Sequence, residues 1–153
     1  MVRLPGRVHN ISSHETAVPT SFFIFINGGA LGATGDYQHE GEPKRVVRLQ
    51  ITKDGVYENY LVDSNWAGGN RVKITADNVT LRNCEIRNAS GNGIGVFAQN
   101  VLIENCRIHH LLAGSFKKQV DAHGITGCWG NVTIRNCDIG FISGDCIQFD
   151  PDR

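Results

Sequence analysis

Apolar and polar residues alternate in short runs along the second half of the chain. In NVTLRNCEI, which begins at Asn78, the apolar residues Val79 and Leu81 alternate with polar ones. After Asn83 a second short alternation brings in Ile86. A period of two is typical of a strand with one buried face. The segment is therefore predicted to form a strand, a turn and a second strand.

The same pattern is written three times. NVTLRNCEIRN, NVLIENCRIHH and NVTIRNCDIGF begin at Asn78, Asn100 and Asn131, so successive copies are 22 and 31 residues apart. A further segment, GNRVKITADNV, recurs as GNGIGVFAQNV, as HGITGCWGNV and finally as DCIQFDPDR. Its copies begin at Gly69, Gly91, His123 and Asp145. Each period thus contains three short strands.

Three short strands with one apolar side each cannot bury that side alone, but stacked coils can. The repeat predicts an all-β parallel β-helix, a solenoid with three strands per coil of about 22 residues. Equivalent residues of successive coils should then lie about 4.8 Å apart.

The repeat also predicts columns of side chains along the stack. The inward columns are Val79, Val101 and Val132; Leu81, Ile103 and Ile134; Ile86, Ile108 and Ile139; and the reduced thiols Cys84, Cys106 and Cys137. Stacked amides at the turns should form a ladder of Asn83, Asn105 and Asn136. Outward charges alternate in sign in two columns, which are Arg82, Glu104 and Arg135, and Glu85, Arg107 and Asp138.

Length and charge narrow the remaining choices. The 153 residues suit one domain, and 15 basic residues balance 15 acidic ones, so no global field attracts nucleic acid or an anionic membrane. We expect neither partner. Residues 1–45 are predicted to be an N-terminal segment, capping or irregular; their FFIFI run is too short for a signal peptide and favours an opening strand or a cap. Residues 46–153 are predicted to be coils, open at the C-terminal end and prone to self-association there.

The extra nine residues between the second and third copies fall before a third strand, in HHLLAGSFKKQVDAHG. Loops on a rigid solenoid commonly carry function. Beside this loop, the outward side of the third strands is predicted to form a shallow groove with glycines at positions 93, 95 and 124 as its floor. The predicted substrate-binding residues are Arg71, Lys73, Asn92, Phe97 and Gln148.

Acids and bases converge on the same groove. The rim column is Asn70, Asn92, His123 and Asp145, and the loop adds His109, His110, Lys117, Lys118 and Asp121. Such groups can perform general acid and base catalysis. The predicted catalytic residues are His123, Asp121, Lys117, Lys118 and Asp145. Solvated loop charges and ordinary turn residues are the alternative interpretation.

The NVTIRNC strands, the asparagine turns and SGDCIQFD resemble the right-handed parallel β-helix superfamily of pectate lyases, related polysaccharide lyases and polygalacturonases. The resemblance covers residues 69–153 and implies a right-handed coil, here the N-terminal portion of a longer solenoid. It also implies an acidic polysaccharide partner, an extracellular or periplasmic location, and calcium held by Asp121, Asp145 and Asp150. The superfamily's cleft lies on the face where the groove is predicted.

Three activities fit this resemblance. A lyase cleaving a uronate polymer by β-elimination is favoured, because it needs a cation on the carboxylate and a base, which Lys117, Lys118 or His123 could supply. A hydrolase or an epimerase is an alternative, although SGDCI holds one aspartate where polygalacturonases have two. A solenoid that binds glycan without cleaving it, including an inactive fragment, is the third.

Overall fold

The computed structural model describes residues 23–25, 39–115, 117–128 and 130–150. These residues form three parallel β-sheets and one antiparallel hairpin. No helix occurs in the described part of the chain, and so none there is long and apolar enough to cross a membrane.

Successive coils contribute strands in turn to three parallel sheets. The first sheet contains, in chain order, β1 Phe23–Phe25, β4 Gly55–Glu58, β7 Val79–Arg82, β10 Val101–Glu104 and β15 Val132–Arg135. The second sheet contains β2 Lys44–Val46, β5 Tyr60–Asp63, β8 Glu85–Ala89, β11 Arg107–Leu111 and β16 Asp138–Ile142. The third sheet contains β3 Leu49–Ile51, β6 Val72–Ile74, β9 Ile94–Val96, β14 Ile125–Gly127 and β17 Ile147–Phe149.

The strand registers confirm the predicted inward columns. Val101 pairs with Val132, and Ile103 lies between Leu81 and Ile134. Ile108 likewise lies between Ile86 and Ile139 in the second sheet. These side chains are buried, except that Ile139 in the last described coil is only partly covered. Burial of stacked aliphatic side chains is what holds successive coils together.

The asparagine column is present at the turn between the first and second sheets, and Asn105 donates its amide to Asn83 Oδ1 at 2.5 Å. Asn83, Asn105 and Asn136 all have positive φ, at 52°, 51° and 52°. Asn105 is exposed, so the ladder lies on the surface of the coil. Asparagine suits these positions mainly because it tolerates the left-handed conformation.

A second column of residues with positive φ bends the three five-residue strands of the second sheet, β8, β11 and β16. Asn88, His110 and Phe141 have φ values of 55°, 55° and 53°. The bend interrupts the two-residue alternation, so that both Ile108 and Leu111 face the core of their coil. A strict alternation could not predict this, and Leu111 was wrongly assigned to the inserted loop.

The outward charges pair across rungs as predicted, though with some different partners. Arg135 contacts Glu104 at 2.6 Å and Arg107 contacts Asp138 at 3.4 Å. Arg82 pairs instead with Glu58 of the preceding coil, at 2.7 Å.

All five cysteines are free thiols. Cys84 and Cys106 are buried in the core, and Cys137 packs against it. Cys128 is partly exposed and Cys146 is exposed.

Strand β1 lies beside β15, with Phe23 opposite Thr133 and Phe25 opposite Arg135. The first sheet therefore continues past β15, whereas the second and third sheets end at β16 and β17 within the described residues. The open C-terminal end of the coils stays a prediction, and the described residues add only that β1 lies next to β15 in the first sheet. The remainder of the predicted N-terminal segment before residue 39 lies outside the described residues.

Candidate functional site

The inserted residues fold into a hairpin between the second and third sheets. Its strands are β12 Ala113–Ser115 and β13 Lys118–Val120, paired antiparallel. Gly114 has a φ of 79°, and a Cβ there would lie 2.3 Å from the Lys118 carbonyl oxygen, so the close pairing requires glycine. The Ser143 hydroxyl accepts from Ala113 N and donates to Val120 O, both at 3.0 Å. The hairpin base is therefore fixed to the next coil.

The outer face of the third sheet has one central column of side chains, whose members are Gln50, Lys73, Gly95, Thr126 and Gln148. Lys73 Nζ lies 5.4 Å from the ring centroid of Phe97, which is 41% exposed. A Cβ on Gly95 would be 2.9 Å from that ring and 2.4 Å from the Asn70 amide nitrogen. Glycine at this position therefore lets Phe97 and Asn70 lie against the sheet.

The predicted glycine floor is largely wrong. A Cβ on Gly93 would meet Ile108 at 2.8 Å, and one on Gly124 would meet Ile139 at 2.6 Å. Both glycines therefore face core side chains rather than solvent. They precede the strands, where the outward alternation of the third sheet has not yet begun.

Arg71, predicted to bind substrate, is buried, with 6% exposure. Its guanidinium donates to Gly68 O at 2.5 Å and to Val47 O at 2.8 Å. Burial and the nearby Arg48 charge lower its pKa. Arg71 therefore joins two coils, and it is not available to a ligand.

The rim column forms a continuous hydrogen-bonded chain. Asn92 donates its amide to Asn70 Oδ1 at 3.0 Å, and His123 N donates to Asn92 Oδ1 at 2.9 Å. Asp145 N donates to His123 Nδ1 at 3.0 Å. A neutral His123 must then carry its proton on Nε2, which leaves no lone pair for a substrate. Asn92 and His123 thus support the turns, and the geometry opposes His123 as a base.

The other predicted site residues are exposed, namely Lys117, Lys118, Asp121, Asp145 and Asp150. Gln148 is partly exposed in the central column. Among the residues described, no three His, Cys, Asp or Glu side chains converge on a possible metal position. Asp121, Asp145 and Asp150 therefore do not form the predicted calcium site in this arrangement.

A cluster of hydrogen-bonded charged side chains lies elsewhere, on the outer face of the second sheet. Glu85 accepts from His109 Nε2 at 2.8 Å and from Arg87 Nη1 at 3.1 Å. Arg87 also donates to Asp63 at 2.9 Å, and His39 lies 3.5 Å from Glu85. The hydrogen bond from His109 and the Arg87 charge lower the pKa of Glu85 to about 2. The carboxylate is therefore ionised at neutral pH.

The charge column predicted from the sequence pairs Glu85 with Arg107 and does not include Arg87. The usable signal was present, since Arg87 and His109 occupy the same position in successive coils and pair directly. Arg87 lies two residues after Glu85, and His109 lies two residues after Arg107, which pairs with Glu85. Residues two apart in a strand point to the same side, so Arg87 and His109 share the outward face with Glu85.

A comparison with protein families decides the fold assignment. The family model described as the right handed beta helix region matches residues 54–152, well over half of the chain. The chain belongs to this family. No curated protein and no solved structure matches the chain.

Family membership agrees with the three parallel sheets, so this right-handed beta helix is a solenoid protein. The outer faces of its second and third sheets differ in how far their charged side chains are paired with opposite charges. The third-sheet face presents Lys73 and Phe97 to solvent, whereas the second-sheet face pairs Arg87 with carboxylates.

Proposed function

We propose that the protein binds an acidic polysaccharide along the outer face of the third sheet. The observation that carries this proposal is the Lys73 ammonium 5.4 Å from the half-exposed Phe97 ring. An aromatic ring offers an apolar surface for the C–H face of a sugar, and the ammonium attracts its carboxylate. The pair matches both parts of a uronate residue.

The surroundings of Lys73 support an anionic ligand. No acid occurs in the described central column of Gln50, Lys73, Gly95, Thr126 and Gln148. The lysine charge is thus not compensated within its column. Lys117 and Lys118 are also exposed, on the hairpin that joins this sheet to the second. Exposed cations attract a polyanion at long range, and salt screens that attraction.

Cleavage of the bound polymer by β-elimination is the second candidate function, favoured by the exposed Lys117 and Lys118 beside the third sheet. In such a reaction a lysine accepts the proton next to the carboxylate, and the glycosidic C–O bond breaks to leave an unsaturated sugar. Lys73 or an added calcium ion would neutralise the carboxylate. Asp121 and Asp145 remain candidates for assisting the leaving group.

The test uses the purified chain with a panel of uronate polymers and neutral polymers of similar length. Binding is measured by calorimetry, and absorbance of the unsaturated product is followed with calcium or with a chelator. We expect uronate binding that weakens about tenfold in Lys73→Ala and in Phe97→Ala. Thr133→Ala, on the outer side of the first sheet, is the matched control and should bind normally.

The results separate the two functions. Uronate binding without unsaturated product supports the binding function alone, and product formation that depends on Lys117 or Lys118 adds lyase activity. Equal affinity for neutral and acidic polymers, or no binding by the wild-type chain, would refute the proposed function.

A further inference from the structure

One left-handed position on the second sheet carries a bulky aromatic residue that disfavours that conformation. At the turn before this sheet, all four described residues with positive φ are asparagines, at positions 59, 83, 105 and 136. Within the sheet, the equivalent positions begin with Asn88 but continue with His110 and Phe141. A large aromatic side chain fits a positive φ poorly. Strained positions of this kind cluster at functional sites, so Phe141, with the His110 ring stacked against it, is a candidate for a role outside the fold.

These two side chains form an exposed platform. Their ring centroids are 5.1 Å apart and the ring planes differ by 17°. Phe141 is 74% exposed, the highest exposure of any large hydrophobic residue described. Gly140, opposite His109 in the strand register, has nothing within 4 Å of where a Cβ would be. An aromatic surface therefore lies next to an unfilled position in the sheet.

The cluster beneath the platform determines which atom of His110 faces a ligand. Glu85 is ionised and only accepts, so His109 donates to it from Nε2. His109 Nδ1 and His110 Nδ1 are 2.6 Å apart, so one of them must donate to the other. When both rings are neutral, His109 Nδ1 has only a lone pair, and the proton belongs to His110 Nδ1. His110 Nε2 then has an unprotonated lone pair.

We propose that Phe141, His110 and the open position at Gly140 form a binding subsite for an uncharged sugar ring. The C–H face of the sugar packs on Phe141, and one hydroxyl donates to His110 Nε2. Arg87 is already held by Asp63 and Glu85, so the subsite presents no uncompensated cation to an anionic ligand. Glu85 and His109 are positioning residues, because they fix the proton on His110. The subsite is separate from the proposed uronate-binding face.

The test titrates isotope-labelled protein with neutral oligosaccharides built from glucose, mannose or galactose, at neutral pH. We expect at least one to shift the resonances of Phe141 and His110 and to bind about tenfold more weakly to Phe141→Asn and His110→Asn. Asparagine suits a positive φ, so both variants should keep or raise the melting temperature.

Gly140→Leu provides an independent test. Its side chain would enter open space, so the fold should persist while the added bulk blocks the sugar. Thr80→Leu on the first sheet is the matched control and should bind as wild type does. If the two asparagine variants melt well below wild type, Gly140→Leu decides alone.

The histidine tautomer tests the hydrogen-bonding part of the inference without a ligand. Nitrogen chemical shifts should show neutral His110 protonated on Nδ1, and Glu85→Gln should alter that state. A proton on Nε2, no binding of any neutral oligosaccharide at millimolar concentration, or unchanged affinity in Gly140→Leu would each overturn the inference. Uronate binding that persists in Phe141→Asn would leave the third-sheet proposal standing on its own.

Discussion

The outer faces of the second and third sheets differ in how their charges are satisfied. On the second sheet, Arg87 donates to Asp63 and Glu85, and His109 donates to the same glutamate. On the third sheet, Lys73 lies over Phe97 in a column that contains no acid among its described members. One face satisfies its charges internally, and the other leaves a cation available.

This difference separates contributions to stability from contributions to binding. Partly buried charges that hydrogen-bond to one another stabilise the folded chain and hold side chains in place. A partly exposed cation such as Lys73, with no acid in its column, contributes little to stability, but it attracts anions. The charged cluster around Glu85 on the second sheet should therefore respond to mutation mainly in stability, and Lys73 and Phe97 on the third sheet mainly in affinity.

The largest effect is expected at Glu85. Its pKa falls from 4.5 to about 2 on folding, which corresponds to about 2 to 3 kcal/mol of stability at neutral pH. That contribution is fully present above about pH 4.5 and is lost as the pH falls towards 2, because the unfolded chain binds the proton first. Glu85→Gln should remove most of this pH dependence in denaturant unfolding between pH 5 and 2.5. Glu58→Gln, in an exposed pair, is the control, and equal effects in both variants would contradict the comparison.

Arg71 comes next and tests the boundary of the third-sheet face. Arg71→Ala should destabilise the protein by about 2 kcal/mol, because the buried guanidinium donates to two carbonyl oxygens from different coils. Lys73→Ala, two residues away and outward, should change stability by less than about 0.5 kcal/mol. Urea unfolding measures both. Similar losses in the two variants would mean that Lys73 is also part of the scaffold.

Asn105 gives a smaller effect at the turn between the first and second sheets. Asn105→Ala should lower the free energy of unfolding by about 1 to 2 kcal/mol, since alanine disfavours a φ of 51° and loses the side-chain hydrogen bond to Asn83. Asn105→Gly tolerates the positive φ and loses only the side-chain hydrogen bond to Asn83, so its melting temperature should fall less than that of Asn105→Ala. If alanine and glycine cost the same, the amide ladder matters more than the left-handed conformation.

The sequence predicted the coil well because the coil is local and periodic. The registers of Val101 with Val132 and of Ile103 with Ile134 follow directly from aligning the repeats. The repeats align residue by residue although they are 22 and 31 residues apart, so the hydrophobic columns required no knowledge of long-range geometry.

The sequence predicted the site poorly because the alternation does not extend beyond the strands. Arg71, Gly93 and Gly124 precede the third-sheet strands and turn inward, although an unbroken two-residue pattern places them outside. The bend at His110 similarly could not be read from polarity, because a positive φ at histidine has no sequence signature. Lys73 and Phe97 were placed correctly, since one lies within a strand and the other directly follows one.

The most direct test of the central claim is to map where a uronate oligomer contacts the chain. In a titration followed by amide chemical shifts, we predict that Lys73, Gly95 and Phe97 move together, and that Arg87 and Glu85 stay in place. The Lys73→Ala variant should reduce those shifts without changing the spectrum elsewhere. Shifts confined to the second sheet, or none at saturating oligomer, would contradict the assignment of acidic glycan binding to the third-sheet face.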